Sequence, residues 1–357
     1  MTRISIDQFA PSVRERDAIG AEVIALQGVL RKFGYSSRIF AEAPGRVGGR
    51  RVHEWRKCQP SVSGLLLIHY SHGSAAYPAL CSLPQRKILL YHAATPVKYL
   101  VGLDPAMSST SAQANSELPR YANSIRSAVA HSVFSAQDLQ SAGFRRVEVV
   151  PYLLSESLWR SSPEQGILTR FQGDGWKNLL VVGRIVPNKC LADCLFVFDY
   201  LKRYVDPRWR LFFVGSWKGT ESYRDRLERL AEHLQLDDVE FTGSVSQAAL
   251  MAYYQIADVL LSMSEHEGFC VPLLEAMRMD VPVFAYAAGS APEVVGDAGV
   301  LFEAKDWPLI AETAALVASD RAVRDKLLSR QRDRLAAFSP DLTERKWKAL
   351  IERLMAG

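Results

Sequence analysis

Residues 264–277 read SEHEGFCVPLLEAM. An apolar run, VLLSM at 259–263, leads into them, the chain breaks at Glu267-Gly268, and helical spacing resumes with Pro272 in the first turn, where a missing amide costs nothing. The pattern predicts strand, tight loop and helix, and so places the loop at the carboxyl edge of a parallel sheet. Open α/β sheets bind ligands at that edge, and the amides of Gly268, Phe269, Cys270 and Val271, backed by the helix dipole, suit a diphosphate. Gly268 lets the main chain come close to the ligand. Glu267 and Glu275 stand eight positions apart, one ahead of the helix and one about a turn inside it, so they can flank one ligand at separate points. A carboxylate accepts two hydrogen bonds from a vicinal diol, which makes ribose and sugar hydroxyls its natural partners. Two glutamates at this spacing are by themselves ordinarily solvated; the apolar strand, Gly-Phe and Pro around them are features a solvated face does not need.

Outward from this stretch, short apolar runs alternate with amphipathic helical patterns, the signature of parallel sheets covered by helices. The predicted strands of the first half are Arg3 to Ile6, Ser36 to Ala41, Gly64 to Tyr70, Lys87 to His92, Ala128 to Ser132 and Val147 to Pro151. Those of the second are Asn178 to Gly183, Arg210 to Gly215, Val239 to Thr242, Val259 to Ser262, Val281 to Tyr286 and Gly299 to Phe302. Six and six predict two Rossmann-like units, and 357 residues exceed what one core ordinarily supports. The polar, Gly/Pro-punctuated stretch from Leu153 to Gly175 marks the linker. The expected division is a domain over 1–155, a second over 156–340 and a terminal helix over 341–357, with Trp347, Leu350, Ile351 and Leu354 at helical spacing behind Pro340-Asp341.

The motif E267-G268-F269-C270-V271-P272-L273-L274-E275 resembles the E-x7-E signature of retaining glycosyltransferase family 4, an α/β family of GT-B fold. V182-G183-R184 with Lys189, F213-V214-G215-S216, F241-T242-G243-S244-V245 and G289-S290-A291-P292-E293-V294 are similar to further family motifs, so that roughly the last 180 residues match in order and spacing. The resemblance implies two Rossmann-like domains facing each other across a cleft, with the C-terminal helix returning to the N-terminal domain. It implies that Arg184 and Lys189 neutralise the donor diphosphate and its leaving-group charge, work otherwise done by a metal. Glu267 would then hold the donor sugar and Glu275 the ribose. Gly183 and Gly215 would close the strand ends, Ser244 and Val245 would meet the base, and Gly268, Phe269 and Cys270 would offer amides. Cys190 stands where the family often has glycine.

In the first half, D17-A18-I19-G20 ahead of AEVIALQGVL resembles the family's loop at the first helix, with Arg16 where a second glycine is often found; Gly20 reads equally as an ordinary helix start or as room for donor phosphate or sugar. Y91-H92-A93-A94-T95-P96 resembles the family motif whose histidine lies between donor sugar and acceptor, which makes His92 the acceptor-side candidate. His69 and His72 end another strand, and with no third ligand evident they are expected to form a turn beside the site rather than a metal pair.

The formal net charge of +4 hides an asymmetry: residues 1–150 carry 18 Lys and Arg against 10 Asp and Glu, hence +8, and the remainder carries −4. The basic half, where Lys98, Arg145 and Arg146 lie, suits by its charge an anionic membrane, a pyrophosphate-linked lipid or a nucleic acid, and reads equally as a solvated basic face. The sequence shows neither an apolar span nor a signal peptide, so a cytoplasmic protein is expected, peripheral on the inner membrane face where the basic half touches lipid. The five cysteines show no CxxC pair and are expected to be reduced packing residues. No D-x-D and no Cys/His cluster at ligand spacing is present, and G-x-G-x-x-G follows no strand, so neither a metal nor a nicotinamide is expected; the nucleotide-diphosphate sugar is expected as substrate rather than as a resident cofactor, and nucleic acid is not among the expected partners. The expected activity is retaining, metal-independent transfer of a hexose from a UDP- or GDP-sugar to a glycan or lipid-linked acceptor through an α linkage in surface polysaccharide or glycolipid synthesis. An epimerase, a phosphorylase or a nonenzymatic donor sensor are the rival readings.

Overall fold

The structure, a computed structural model, describes residues 4–14, 17–59, 63–154 and 161–356. Arg3 at the head of the first predicted strand, Arg16, and the predicted boundary at 155/156 lie outside the described residues. The chain forms two compact units, one from described residues within 1–98, 105–155 and 338–357, the other from 99–104 and 156–337.

The first unit is built on an eight-stranded sheet. In chain order its strands are β1 (Ile6–Phe9), β2 (Ile39–Ala41), β3 (Gly45–Val47), β4 (Arg50–Glu54), β5 (Leu65–Tyr70), β6 (Arg86–Tyr91), β7 (Ser127–Ala130) and β8 (Arg146–Val149). Their spatial order is β3-β4-β2-β1-β5-β6-β7-β8, with every pair parallel except β3 and β4. β5 (LLLIHY) is buried along its whole length, as a strand covered on both faces must be. All six predicted strands are present, the first beginning at Ile6 rather than Arg3. The β3–β4 hairpin, which turns at Gly48-Gly49, raises the count from the expected six to eight. Its residues GRVGGRRVHE carry too few apolar positions to show alternation, and as an edge it buries only Val52.

The second unit holds β9 (Lys177–Val182), β10 (Trp209–Val214), β11 (Val239–Gly243), β12 (Val259–Ser262), β13 (Val283–Tyr286) and β14 (Val300–Phe302). The order is β11-β10-β9-β12-β13-β14, parallel throughout. Strand order reverses between β9 and β12, and a doubly wound sheet binds its ligand outside the carboxyl ends at such a reversal. Leu179, Phe213, Leu261, Phe284 and Trp209 fill the core beneath that point.

The last helix, Pro340–Ala356, packs within the first unit: Trp347, Leu350 and Ile351 are buried against Ile6, Leu26, Leu65, Leu67 and Ile88. Arg353 pairs with Glu148 at 2.7 Å and Lys32 with Glu344 at 2.6 Å at its rim.

Candidate functional site

The loops after β9 and β12 meet at the point of strand reversal. Val181, Val182, Gly183, Arg184, Lys189 and Leu191 line one side of a small concavity, and Leu261, Ser262, Met263 and Ser264 the other. After β9 the chain makes a turn over Pro187–Lys189 and enters the helix Leu191–Tyr200. Asn188 ties this turn to the loop after β12: its side chain donates to the His266 carbonyl at 3.0 Å, and its own carbonyl accepts from the Glu265 amide at 2.9 Å. The two segments are therefore laced together, with the Lys189 ammonium on the Glu267 carboxylate. Both side chains are largely enclosed, with 17% and 11% of their surfaces open. Burial alone pushes the Lys189 ammonium towards neutrality; the Glu267 carboxylate more than offsets this and holds its pKa above the usual lysine value. Arg184 is exposed beside them and donates to the Lys218 carbonyl at 3.3 Å.

Glu267 is braced from behind. The Ser290 amide donates to its carbonyl at 3.1 Å, and a Cβ added at Gly289 would stand 2.8 Å from its nitrogen, so only glycine admits this approach. The G-x-x-P-E-V loop thus sets the position of Glu267. Gly215 is a second close approach, since a Cβ there would fall 1.9 Å from the Gly183 carbonyl oxygen. The loops after β9 and β10 can lie together only because Gly215 lacks a side chain.

Cys190 and Cys270 both adopt left-handed backbone, at φ 50° and 61°, immediately before the helices Leu191–Tyr200 and Val271–Arg278. The departure at Cys190 leaves the turn intact, because the cysteine itself takes the conformation glycine adopts without strain. Burial pushes the thiols up, to about 11 for Cys190 and about 12 for Cys270, so both are held as thiols. Among the described residues all five cysteines are free.

The helix Val271–Arg278 begins without a side-chain cap and carries Pro272 in its first turn; Phe269 is buried behind it and Gly268 half-buried. Glu275 is half-buried inside that helix and accepts from the Tyr254 hydroxyl at 2.7 Å. Burial raises its carboxyl pKa and the tyrosine bond only partly counters this. Tyr254 closes the helix Gln247–Ile256, whose start lies directly after Ser244 and Val245, with Ser246 capping the Ala249 amide at 3.0 Å. One rigid helix therefore joins the predicted base turn to the predicted ribose carboxylate.

Gly20 and His92 belong to the first unit. Gly20 lies in the first turn of the helix Ala18–Lys32, capped by Asp17 at 2.6 Å, and a Cβ on it would meet the Arg14 carbonyl oxygen at 1.8 Å. The space beside Gly20 is thus occupied by the chain's own backbone. His92, directly after β6, contacts buried polar groups: His69 Nδ1 lies 2.9 Å from its Nε2, and Glu22 Oε2 3.7 Å from its Nδ1. His69 is fully buried, and Glu22, His69 and His92 bring polar atoms within 4.8 Å of one another, a grouping that no local spacing records. Asn188, Tyr254, Glu22 and His131 carried no sequence signal; each is defined by partners 21 to 131 residues away.

Comparison with known proteins follows the same division. Residues 172–334 match the family of glycosyl transferases group 1. The O-antigen chain mannosyltransferase B of Escherichia coli is 31% identical over 141 residues, 39% of this chain and 36% of that protein. The GDP-mannose:cellobiosyl-diphosphopolyprenol alpha-mannosyltransferase of Xanthomonas oryzae is 32% identical over 146 residues, 37% of each. The matched stretch thus spans little more than a third of these relatives. Over the whole chain, the Anabaena HepE structure in complex with UDP and glucose superposes with a TM-score of 0.74 at 17% identity, covering 98% of this chain and all of that one.

Proposed function

With residues 172–334 forming a glycosyl transferases group 1 domain in a GT-B chain similar to glycosyltransferase family 4, we propose that the protein is a retaining, metal-independent hexosyltransferase using a nucleotide-diphosphate sugar. The observation that carries this reading is the Lys189–Glu267 pair held over the β9/β12 reversal, a cation and a carboxylate side by side where a doubly wound sheet receives its ligand. Lys189 and Arg184 take the diphosphate, Glu267 the sugar hydroxyls and Glu275 the ribose diol. Ser244 and Val245 meet the base, and the amides of Gly268, Phe269 and Cys270 support the phosphates. The relatives' names put GDP-mannose first among donors to test and a diphosphopolyprenol-linked glycan first among acceptors, with α-linked surface polysaccharide or glycolipid as the product.

In the proposed reaction the bond from the anomeric carbon to the diphosphate oxygen breaks and the acceptor oxygen attacks from the same face. Its proton passes to the departing diphosphate, whose charge Lys189 and Arg184 stabilise. Double displacement requires a carboxylate nucleophile close to a second carboxylate. Glu267 is instead occupied by Lys189, and Glu275 is held by Tyr254. Two adjacent cations do the electrostatic work of a divalent ion, and removing one such group from a transition state lowers kcat by about 10²–10³. His92 is assigned to the acceptor hydroxyl.

The hollow beside the β3–β4 hairpin, where Arg46, Arg51, His53 and Lys57 outnumber the one carboxylate, Glu54, is assigned to acidic headgroups presenting the acceptor. The attachment proposed is peripheral contact; among the described residues no helix is long and apolar enough to cross a membrane. Cosedimentation with phosphatidylserine vesicles that is lost in Arg46→Glu/Arg51→Glu supports it, and equal sedimentation with neutral vesicles contradicts it.

The decisive assay offers GDP-mannose, UDP-glucose and UDP-N-acetylglucosamine with diphosphopolyprenol-linked acceptors in excess EDTA, with the anomeric configuration of the product read by NMR. An α-linked product formed in EDTA, and cut at least about 10²-fold in Lys189→Ala, is expected. A β-linked product, or strict dependence on a divalent ion, contradicts the proposal.

A further inference from the structure

At the carboxyl edge of the first sheet four adjacent strands in the order β1-β5-β6-β7 each bring one polar side chain into a buried row: Gln8, His69, His92 and His131, the last two directly after their strands. Glu22, from the helix Ala18–Lys32, closes the row. Gln8, His69 and Glu22 are 0% exposed and His131 4%. A buried polar row of this kind is stable only when its donors and acceptors alternate, so its protons can be assigned from chemistry.

The assignment starts from a carbonyl. Gln8 Nε2 lies 3.1 Å from the Val23 oxygen, which only accepts, so the amide nitrogen is there and Oε1 faces His69. Oε1 lies 3.0 Å from His69 Nε2, which must therefore carry the hydrogen. Neutral His69 then presents a bare Nδ1, 2.9 Å from His92 Nε2, and accepts from it. Burial holds His69 neutral, with its pKa down at about 3. At the other end, His131 Nδ1 donates to the Val150 carbonyl at 3.1 Å and Nε2 stands 3.0 Å from Glu22 Oε2, so the carboxylate's charge is met by His131. The groups facing His92 are thus His69, Glu22 and His131. Its ring keeps 5% of its surface open, whereas Glu22 keeps none.

We propose that Gln8 and His69 are positioning residues that lock His92 in the Nε2–H tautomer, leaving Nδ1, 3.7 Å from Glu22, as a bare acceptor that orients a substrate hydroxyl while the hydroxyl's proton passes to the departing diphosphate. The role of His92 towards a hydroxyl rests on the glycosyltransferase reading; the tautomer does not. A reversed tautomer would turn Nδ1–H towards Glu22 and leave nothing to accept from substrate.

The test needs no activity for its first arm. In uniformly 15N-labelled full-length protein, the two-bond imidazole correlations of His92 should show protonated Nε2 and unprotonated Nδ1. In Gln8→Leu, where His69 no longer has to point Nε2–H at an acceptor, the His92 pattern should change. A wild-type His92 protonated at Nδ1 overturns the proposal, as does an unchanged pattern in folded Gln8→Leu. The second arm uses transfer kinetics: His69→Leu should lower kcat by about 10² while nucleotide affinity stays within about twofold, and His69→Asn, which sets an amide oxygen where Nδ1 stands, should recover most of the loss. Equal damage in both variants marks a packing role and also overturns the proposal. Should no donor be turned over at all, the glycosyltransferase reading fails while the NMR arm still decides the tautomer.

Discussion

The Tyr254 hydroxyl is the partner that aims Glu275. Tyr254→Phe removes one hydrogen bond to a carboxylate in a half-buried site, worth about 1.5–3 kcal/mol. Nucleotide affinity should fall by roughly tenfold or more and the melting temperature should fall with it; unchanged affinity would show that Glu275 is held by the helix alone. Cys190 makes the opposite case, because its left-handed backbone costs about 1–2 kcal/mol for a residue with a Cβ. Cys190→Gly should melt at or above the wild type and Cys190→Val below it, an order that calorimetry can read. The left-handed backbone at Cys270 was not legible in the sequence, since such a residue is recognisable there only when it is glycine; at Cys190 the glycine usual in the resembled family marked the turn.

Elements inherit their placement from such residues. Strands β5, β9 and β12 were legible because both their faces are buried, which leaves continuous apolar runs such as LLLIHY. The β3–β4 hairpin was not, because an edge ribbon buries one face at most and its arginines mask the period. Glu267 and Glu275 were legible because one loop and one helix carry both. The Gln8–His69–His92–His131 row was not, because a parallel sheet draws its neighbours from distant segments and no local spacing records it. Two substitutions test the element scale. Gly215→Ala forces a Cβ onto the Gly183 carbonyl, so the β9 and β10 ends must part; loss of nucleotide binding is expected. Trp347→Ala, which empties the fully buried anchor of the terminal helix, should cost about 3–5 kcal/mol, with a melting curve as the check.

At the scale of the whole molecule, the buried histidines couple folding to acid. Unfolded His69 titrates near 6.5 and folded His69 near 3, so between those values the unfolded chain binds the extra proton and stability falls as pH falls, by at most about 1.4 kcal/mol per pH unit. His92, lowered by burial, and Glu22, whose pKa His131 and His92 draw down against burial, act in the same direction; His131, whose raised pKa comes from Glu22 overcoming burial, opposes them and loses its contribution as pH rises through its raised value. His69→Asn should therefore unfold less steeply between pH 6.5 and 3 than the wild type in denaturant titrations. In the proposed reading the strand reversal of the second unit receives the donor, and the nucleotide is the part of it that this unit binds. Calorimetric titration of GDP, UDP and ADP in EDTA, on the wild type and Glu275→Ala, tests this claim most directly. One nucleotide bound by the wild type, with affinity at least about tenfold lower in Glu275→Ala, is the predicted result. No binding of any of the three, or equal affinity in the two proteins, would contradict it.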